Sequence, residues 1–426
     1  MIGNEDGSRD LAVLVVPLVG ALRVTGDLWE PYQLLDPDGW VVRPVAEYLK
    51  DLQAGGRPAS TQRSYAHPLL RWFRFCWAIE VGWDQATRVE ARDFSRWIQI
   101  TGKPVRSRER AGSAGLAGPP DSPSAGRPAA GTPNQVTGKL APARGYAPST
   151  AAHGETVLRG FYAFHLEAGS GPMVNPFPLA RGGRAHAHHN PMDPFGKQRT
   201  GLFRPRLTRR LPRRIPDELF SQLFTKLSSH RDRALVAFWI STGARASELL
   251  GVLCGGADPG QQLITVIRKG SRALQQLPAS PDAFVWLRLY QQQMHGVVAA
   301  GADDPLWWTL RRPFRPLTYH AARAMFVRAN TALGANWSLH DLRHSAAYRL
   351  ARDPAVPITD VQWVLGHAHL STTQIYITPT AEDVIESVLA HHQRQADQNQ
   401  APPPAEPPPL RYRPETLDIL FGRNPR

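Results

Sequence analysis

The chain has 426 residues, enough for two domains of roughly 100–200 residues each. Its formal net charge of +14 points to a polyanionic partner, because Lys and Arg displace counterions from phosphate backbones. Its two cysteines, Cys76 and Cys254, exclude a disulfide framework and a cysteine-based metal cluster, and place the chain in a reducing cytoplasm.

Residues 1–40 read as an N-terminal extension of unassigned role. Its apolar run LAVLVVPLVGAL (11–22) is shorter than the roughly 20 residues a membrane span needs. It reads as a strand or a buried strip, and no membrane association is expected. From 41 to 178 the pattern is helical. Tyr65, Leu69, Leu70, Phe73 and Trp77 recur at three- and four-residue spacing, followed by Phe94, Trp97 and Ile98 on one face. Such aromatics are expected in a core rather than as base-stacking platforms. The helical pattern is broken at about 103–147 by a segment rich in Gly, Pro, Ala and Ser. That composition cannot offset its ordering entropy, so the segment reads as a disordered insertion. The pattern resumes at PSTAAHGETVLRGFYAFHLEAG and stops at NPFP (175–178).

Residues 179–214 form a basic interdomain linker. Between 181 and 214 there are ten Lys or Arg against one Asp. A run of this kind can lie along a phosphate backbone, with Arg204, Arg206, Arg209, Arg210, Arg213 and Arg214 as the candidate contacts. His186, His188 and His189 lack the carboxylates or cysteines that would complete a metal site, and no metal is expected. Residues 215–392 read as a second compact domain, mostly helical with one hairpin at QQLITVIRKGSRALQQLPAS. Residues 393–426 form a Pro-rich tail ending in RYRPETLDILFGR, whose Leu417, Ile419, Leu420 and Phe421 suit docking.

Four stretches of the second domain carry chemistry. In WISTGARASELLGV (239–252) a helix breaks at Gly243, and Arg245 precedes a new helical turn where an anion would be favoured. Glu248 stands three residues on. In the hairpin, Lys269 sits in the turn. This domain uses arginine nearly throughout and keeps lysine only at 226 and 269. Lysine can release its proton and arginine in practice cannot, so a site needing a proton donor would keep a lysine. In WSLHDLRHSAAYRLA (337–351), Ser338 and Asp341 have capping spacing, and His340 and Arg343 share a helical face. In ITDVQWVLGHAHLSTTQIY a helix closes at Gly366 and His367 follows. Ser371 and Gln374 are spaced as a cap, which puts Tyr376 in the first turns of the next helix.

The order Arg245, Lys269, His340-x-x-Arg343, His367 and Tyr376 resembles the tyrosine recombinase (phage integrase) family. STGARASELL resembles its first box, LHDLRHSAA its second, and LGHAHLSTTQIY the segment that ends in the nucleophile. The resemblance covers roughly 41–392 without the insertion. It implies a mainly α fold with a small β-hairpin or sheet, in which an all-α, SAM-like core-binding domain precedes an α+β catalytic domain. It also implies site-specific cleavage and rejoining of DNA through a 3′-phosphotyrosyl intermediate, without metal, ATP or other cofactor. Tyr376 would be the nucleophile. Arg245 and Arg343 would grip the non-bridging oxygens, His340 would accept the phenolic proton, and His367 would hydrogen-bond the phosphate. Lys269 would protonate the leaving 5′ oxygen, and Glu248 would orient the arginines. Arg272 competes with Lys269, because the hairpin lacks the glycine that many relatives carry before the lysine. The expected partner is double-stranded DNA at a specific site, bound by a homotetramer on two duplexes in the nucleoid. A type IB topoisomerase-like relaxer and a catalytically silent DNA-binding regulator are the alternatives.

Overall fold

The computed structural model describes residues 9–103, 129–141, 143–180, 200–207, 212–376, 381–400 and 413–422. The chain divides into two compact units, 1–210 and 211–426.

The first unit opens with an antiparallel hairpin of β1 (Ala21–Val24) and β2 (Tyr32–Leu35), in which Ala21 faces Leu35 and Val24 faces Tyr32. Four helices follow: α1 (Arg43–Ala54), α2 (Ala59–Ala78), α3 (Arg88–Ile100) and α4 (Pro148–Glu167). Pro44 and Pro148 stand at helix starts, where a fixed φ is already helical and no partner is needed for the missing N–H. Thr87 and Glu90 form a reciprocal capping box that starts α3. The aromatic stripe of α2 is core: Trp72, Phe73 and Phe75 are buried with Phe94, Trp97, Phe161 and Phe177. Trp72 Nε1 donates to Tyr162 Oη (2.9 Å), which donates to the Trp83 carbonyl (2.8 Å), so the buried polar tips are paired.

Of the N-terminal stretch, the described residues 9–40 pack on this core. Leu34 is fully buried in this core, and Leu14, Val16, Leu22 and Tyr32 pack against it. The Arg74 guanidinium of α2 donates to the carbonyls of Leu18, Val19 and Gly20, and Arg9 pairs with Glu90 and Asp93. Only the end of the 11–22 run is strand. The isolated carbonyls before it are held by an arginine instead of a ladder.

The insertion expected to be disordered is ordered in part. Residues 104–128 and 142 lie outside the described residues. Within 129–141, Pro133 and Leu140 form an antiparallel bridge. Asn134 Oδ1 accepts from the Val136 and Thr137 amides, a side-chain turn that needs no apolar burial. Gly102 and Gly145 are bridged as well.

The basic linker is also shorter than 179–214. Leu179 bridges Gly201, Ala180 N donates to Thr200 O, and Leu202 N donates to Pro178 O. Phe203 packs on the first core. The ends of the 181–199 segment, which itself lies outside the described residues with His186, His188 and His189, are therefore pinned together within the first unit.

The second unit contains α5 (Asp217–Thr225), α6 (His230–Thr242), α7 (Ala246–Leu250), the strands β3 (Ala257–Asp258), β4 (Leu263–Ile267) and β5 (Leu274–Pro278), then α8 (Pro281–Met294), α9 (Tyr319–Thr331), α10 (Leu339–Arg352), α11 (Ile358–Leu365), α12 (Leu370–Gln374), α13 (Ala381–Gln400) and α14 (Pro414–Leu420). Helix α6 is apolar on nearly every side and forms the centre of the core, with α8 and α10 packed on it. The hairpin expected from sequence is β4–β5, paired Ile264 with Leu277 and Val266 with Gln275, and β3 adds a third antiparallel strand. Helix α13 runs eight residues beyond the domain end expected at 392. Ile419, Leu420 and Phe421 of the tail are largely exposed. Among the described residues, no helix is long and apolar enough to cross a membrane.

Candidate active site

Four chain reversals place the site. Helix α6 ends at Gly243 in the left-handed region (φ 61°), and a Cβ there would lie 2.9 Å from Leu365. Arg245 follows as the residue that starts α7. Helix α11 ends the same way at Gly366 (φ 61°), where a Cβ would meet the Arg268 guanidinium at 3.1 Å. Ser338 starts α10: its amide and hydroxyl both donate to Asp341 Oδ2, at 2.7 and 2.9 Å. The β4–β5 turn carries Lys269, which is exposed.

Glu248 is the hub. It is 3 % exposed and accepts four hydrogen bonds: from Arg245 N (2.9 Å), Arg245 Nη1 (2.8 Å), Arg268 Nη1 (3.1 Å) and Lys269 N (2.9 Å). Burial alone would raise its carboxyl pKa. The amides of Lys269 and Arg245 and the Arg245 guanidinium outweigh that and hold it below the usual carboxylate range. One carboxylate thus ties the first box to the lysine turn.

Arg343 is buried at 3 % exposure. Its Nη1 donates to Gly243 O (2.8 Å), and its Nη2 donates to Leu365 O (2.6 Å) and to His367 Nε2 (3.0 Å). It therefore joins the ends of α6 and α11, satisfying carbonyls that helix geometry leaves open. Burial and the nearby Arg245 charge push its guanidinium down to about 10, still protonated at neutral pH. Since Arg343 can only donate, His367 Nε2 must accept, and the His367 proton sits on Nδ1, facing Thr373 Oγ1 at 2.9 Å. Burial, then Arg343 and Arg245, push His367 down to about 4. It is a neutral imidazole with a defined tautomer.

Tyr376 lies where α12 ends and not in its first turns. The N-cap position is His369, two residues before the expected Ser371 cap, and the helix lasts about a turn and a half. Fully buried Thr373, hydrogen-bonded to His367, anchors it there. The Tyr376 ring is buried with Ala347, Val361 and Leu365. Burial raises its phenol pKa, partly countered by Arg343 and Arg245, so the phenol is protonated at neutral pH. Its hydroxyl lies 2.8 Å from Nδ1 of His344. This corrects the expectation that His340 meets the phenol. His340 is one turn earlier on α10, exposed at the helix start, with its ring centroid 4.3 Å from that of His344.

The structure therefore forms two hydrogen-bonded groups, Arg245 with Glu248 and the Lys269 backbone, and Arg343 with His367, which are electrostatically coupled to each other, with Tyr376 bonded to His344. An open cleft of about 1070 Å³ borders them, lined by Arg245, Lys269, His367, His369 and Thr372. Among the described residues, Arg204, Arg206, Arg213 and Arg214 of the linker do not line it. Arg204 donates to Thr156 Oγ1 (2.7 Å), Arg214 covers the Tyr348 ring, Arg206 is exposed and Arg213 half-buried. Arg209 and Arg210 lie outside the described residues.

Two residues escaped the sequence reading. Arg268, 5 % exposed, pairs with Glu248, donates to Gln275, and reaches the carbonyls of Trp363 and Val364. Strand alternation could have found it: Ile264, Val266 and Arg268 point inward together, and Lys269 lies opposite. His344 was legible as the i+4 neighbour of His340. Glu248→Ala tests the hub. It strands the buried Arg268 charge, and losing one partner of such a pair costs about 3–5 kcal/mol, so thermal unfolding should come markedly earlier. Because the folded-state pKa of Glu248 is depressed, its contribution is complete above the unfolded value (about 4.3) and fades as pH falls through the folded one. The variant should lose that part of the acid dependence of stability.

Residues 213–383 match the phage integrase family. Over 165 residues the chain is 33 % identical to tyrosine recombinase XerD of Pseudomonas aeruginosa, covering 38 % of this chain and 54 % of that protein. Over 151 residues it is 36 % identical to tyrosine recombinase XerC of Xylella fastidiosa, covering 34 % and 48 %. The chain spans about half the length of these curated relatives. A Tn1549 transposon integrase in complex with transposon right end DNA superposes with a TM-score of 0.52 at 13 % identity, over 83 % of this chain and 99 % of that one. XerH site-specific recombinase bound to its difH substrate gives 0.50 at 15 % identity, over 81 % and 83 %. These two likenesses show the fold.

Proposed function

We propose that this chain, whose residues 213–383 are a phage integrase family domain, is a site-specific DNA recombinase that cuts and rejoins strands through a phosphotyrosyl ester. The observation that carries the reading is the cluster in which Glu248 and two helix ends hold Arg245, Arg343 and His367 together beside a buried, protonated tyrosine.

A phosphodiester repels nucleophiles because it is anionic. Arg245 and Arg343 supply positive charge where the non-bridging oxygens gain negative charge, and they are already ordered before DNA arrives. His367 shares its Nε2 with Arg343 and adds a neutral polar group at the same edge. His340, at the start of α10, is coupled to the Arg343 and Arg245 charges of the same cluster. Tyr376 attacks phosphorus, and the ester stores the bond energy for rejoining. Lys269, exposed on its turn and held by its backbone to Glu248, reaches the 5′ oxygen as it leaves and protonates it. The 3′ polarity of the ester follows from the family resemblance.

The partner is double-stranded DNA carrying a specific site, bound by four copies on two duplexes. The exposed Ile419 and Leu420 of α14, with Phe421 just after it, suit docking on a neighbouring copy. The helices of the first unit form the core-binding module. The test is recovery of covalent protein–DNA adducts from cells, with sequencing of the attached ends. Recurrent ends sharing one sequence, joined through Tyr376, are expected. Adducts scattered without sequence preference would favour a topoisomerase-like relaxer, and no adduct at all a silent DNA-binding protein.

A further inference from the structure

We propose that Arg268 and Gln275 form a clasp that hangs the Lys269 turn on the end of α11 and so sets where the lysine meets the leaving oxygen. Both are positioning residues that act through Lys269. The proposal rests on Lys269 being the general acid.

Arg268 directly follows β4, and its backbone and side chain have separate tasks. Its amide donates to Ala273 O (2.9 Å), and its carbonyl accepts from Gly270 N and Arg272 N (both 3.1 Å), so the turn that carries Lys269 closes on this residue. Its side chain lies on the opposite face from that of Lys269, because neighbours in an extended chain alternate. The guanidinium is 5 % exposed and is spent on the last turn of α11 and on Glu248. Nη2 donates to the carbonyls of Val364 and Trp363, Nη1 to Glu248 Oε2 (3.1 Å), and Nε to Gln275 Oε1. Gln275, on β5 across the hairpin, donates its own Nε2 to the Trp363 carbonyl (2.9 Å). Both arms of the hairpin thus grip one helix end.

That end is suited to the grip. A helix leaves its last carbonyls without intrahelical partners, and a cation is favoured there. Arg343 takes the Leu365 carbonyl, and Arg268 and Gln275 take the two before it. Gly366 leaves room for the approach, since a Cβ there would lie 3.1 Å from Arg268 Nε. Residues 269–274 are all exposed, so nothing packs over the turn to hold it. Its fixed points are the Lys269 amide on Glu248 (2.9 Å) and the clasp one residue earlier. A catalytic group displaced by ~1 Å loses on the order of 10²-fold in rate.

The experiment uses the full chain and a nicked duplex bearing the end sequence recovered from covalent adducts. At the cleaved bond the atom bridging phosphorus to the 5′ carbon is either oxygen or sulfur. Arg268→Met fills similar space without the fork, and Gln275→Leu removes the β5 half of the clasp from a half-buried position. Both should bind the duplex as the wild type does. On the oxygen duplex, Arg268→Met should cleave ~10–10²-fold more slowly. Gln275→Leu should cleave about 2–10-fold more slowly, the weight of an ordinary hydrogen bond. On the sulfur duplex each should recover most of its rate, because a thiolate leaves without a proton and a misplaced acid no longer matters. A merely structural defect would slow both duplexes alike. Should Arg268→Met fail to fold, Gln275→Leu decides alone. Wild-type cleavage of the oxygen duplex by these variants, or a slowing that sulfur does not relieve, overturns the clasp. Lys269→Ala on the same two duplexes separates the levels. If sulfur relieves Lys269→Ala and not the clasp variants, the clasp alone is wrong. If it does not relieve Lys269→Ala, the acid is misassigned and this inference falls with it.

Discussion

Tyr376→Phe should bind its DNA with nearly unchanged affinity and form no covalent adduct with it. The substitution removes one oxygen from a buried ring and leaves the ring packed against Ala347, Val361 and Leu365. The lost hydrogen bond to His344 is worth about 0.5–1.5 kcal/mol to folding, too little to unfold the domain. No other side chain can replace the hydroxyl as a nucleophile from that place. The measurement is a denaturing gel of the protein with a nicked duplex, beside a native gel for binding. Tyr348 is the natural control. It is on the same helix as His344, but the guanidiniums of Arg214 and Arg352 cover its ring. An adduct that persists in the variant and maps to Tyr348, or to Tyr412 outside the described residues, would show that the nucleophile is misassigned.

Lys269→Ala should slow cleavage of ordinary DNA by ~10²–10⁴-fold and recover most of its rate when the bridging 5′ oxygen is replaced by sulfur. A thiolate leaves without needing a proton, so a missing acid no longer matters. Arg245→Ala should gain nothing from sulfur, because stabilising the non-bridging oxygens is a separate task. The hairpin geometry makes Arg272→Ala the informative comparison. Arg272 sits on the same turn with a left-handed backbone (φ 58°), and its amide closes the turn on the Arg268 carbonyl. Only Lys269 is tied through its backbone to the Glu248 that also holds Arg245. If sulfur rescues Arg272→Ala and not Lys269→Ala, the acid is Arg272 and the assignment to Lys269 fails.

Part of this site could be read directly from the chain because its signals are local. A glycine that ends a helix, a capping pair three residues apart, and a histidine and arginine on one turn are all set by backbone geometry over a few residues. Gly243 and Gly366 both end their helices in the left-handed region, and Ser338 and Asp341 cap α10. The order of Arg245, Lys269, Arg343, His367 and Tyr376 needed no structure to be seen. The start of α12 differs from the Ser371–Gln374 spacing: the N-cap position is His369, without a side-chain capping bond, and Thr373 inside the helix bonds His367.

The sequence by itself determined which residue types are present, their order, and the local turns that expose them. Only the tertiary structure decided who touches whom. Glu248 proves to be the hub because Arg268 and Lys269, twenty and twenty-one residues away, return to it through the β4–β5 hairpin. Tyr376 meets His344 across thirty-two residues because α11 packs on α10 and α12 packs on α11. Residues 9–40 and the residues flanking 181–199 join the first core through contacts with distant helices or strands. Helical periodicity places His340 and His344 on the same face and cannot choose between them. The choice is made by burial and by the long-range packing that brings one phenol to one imidazole.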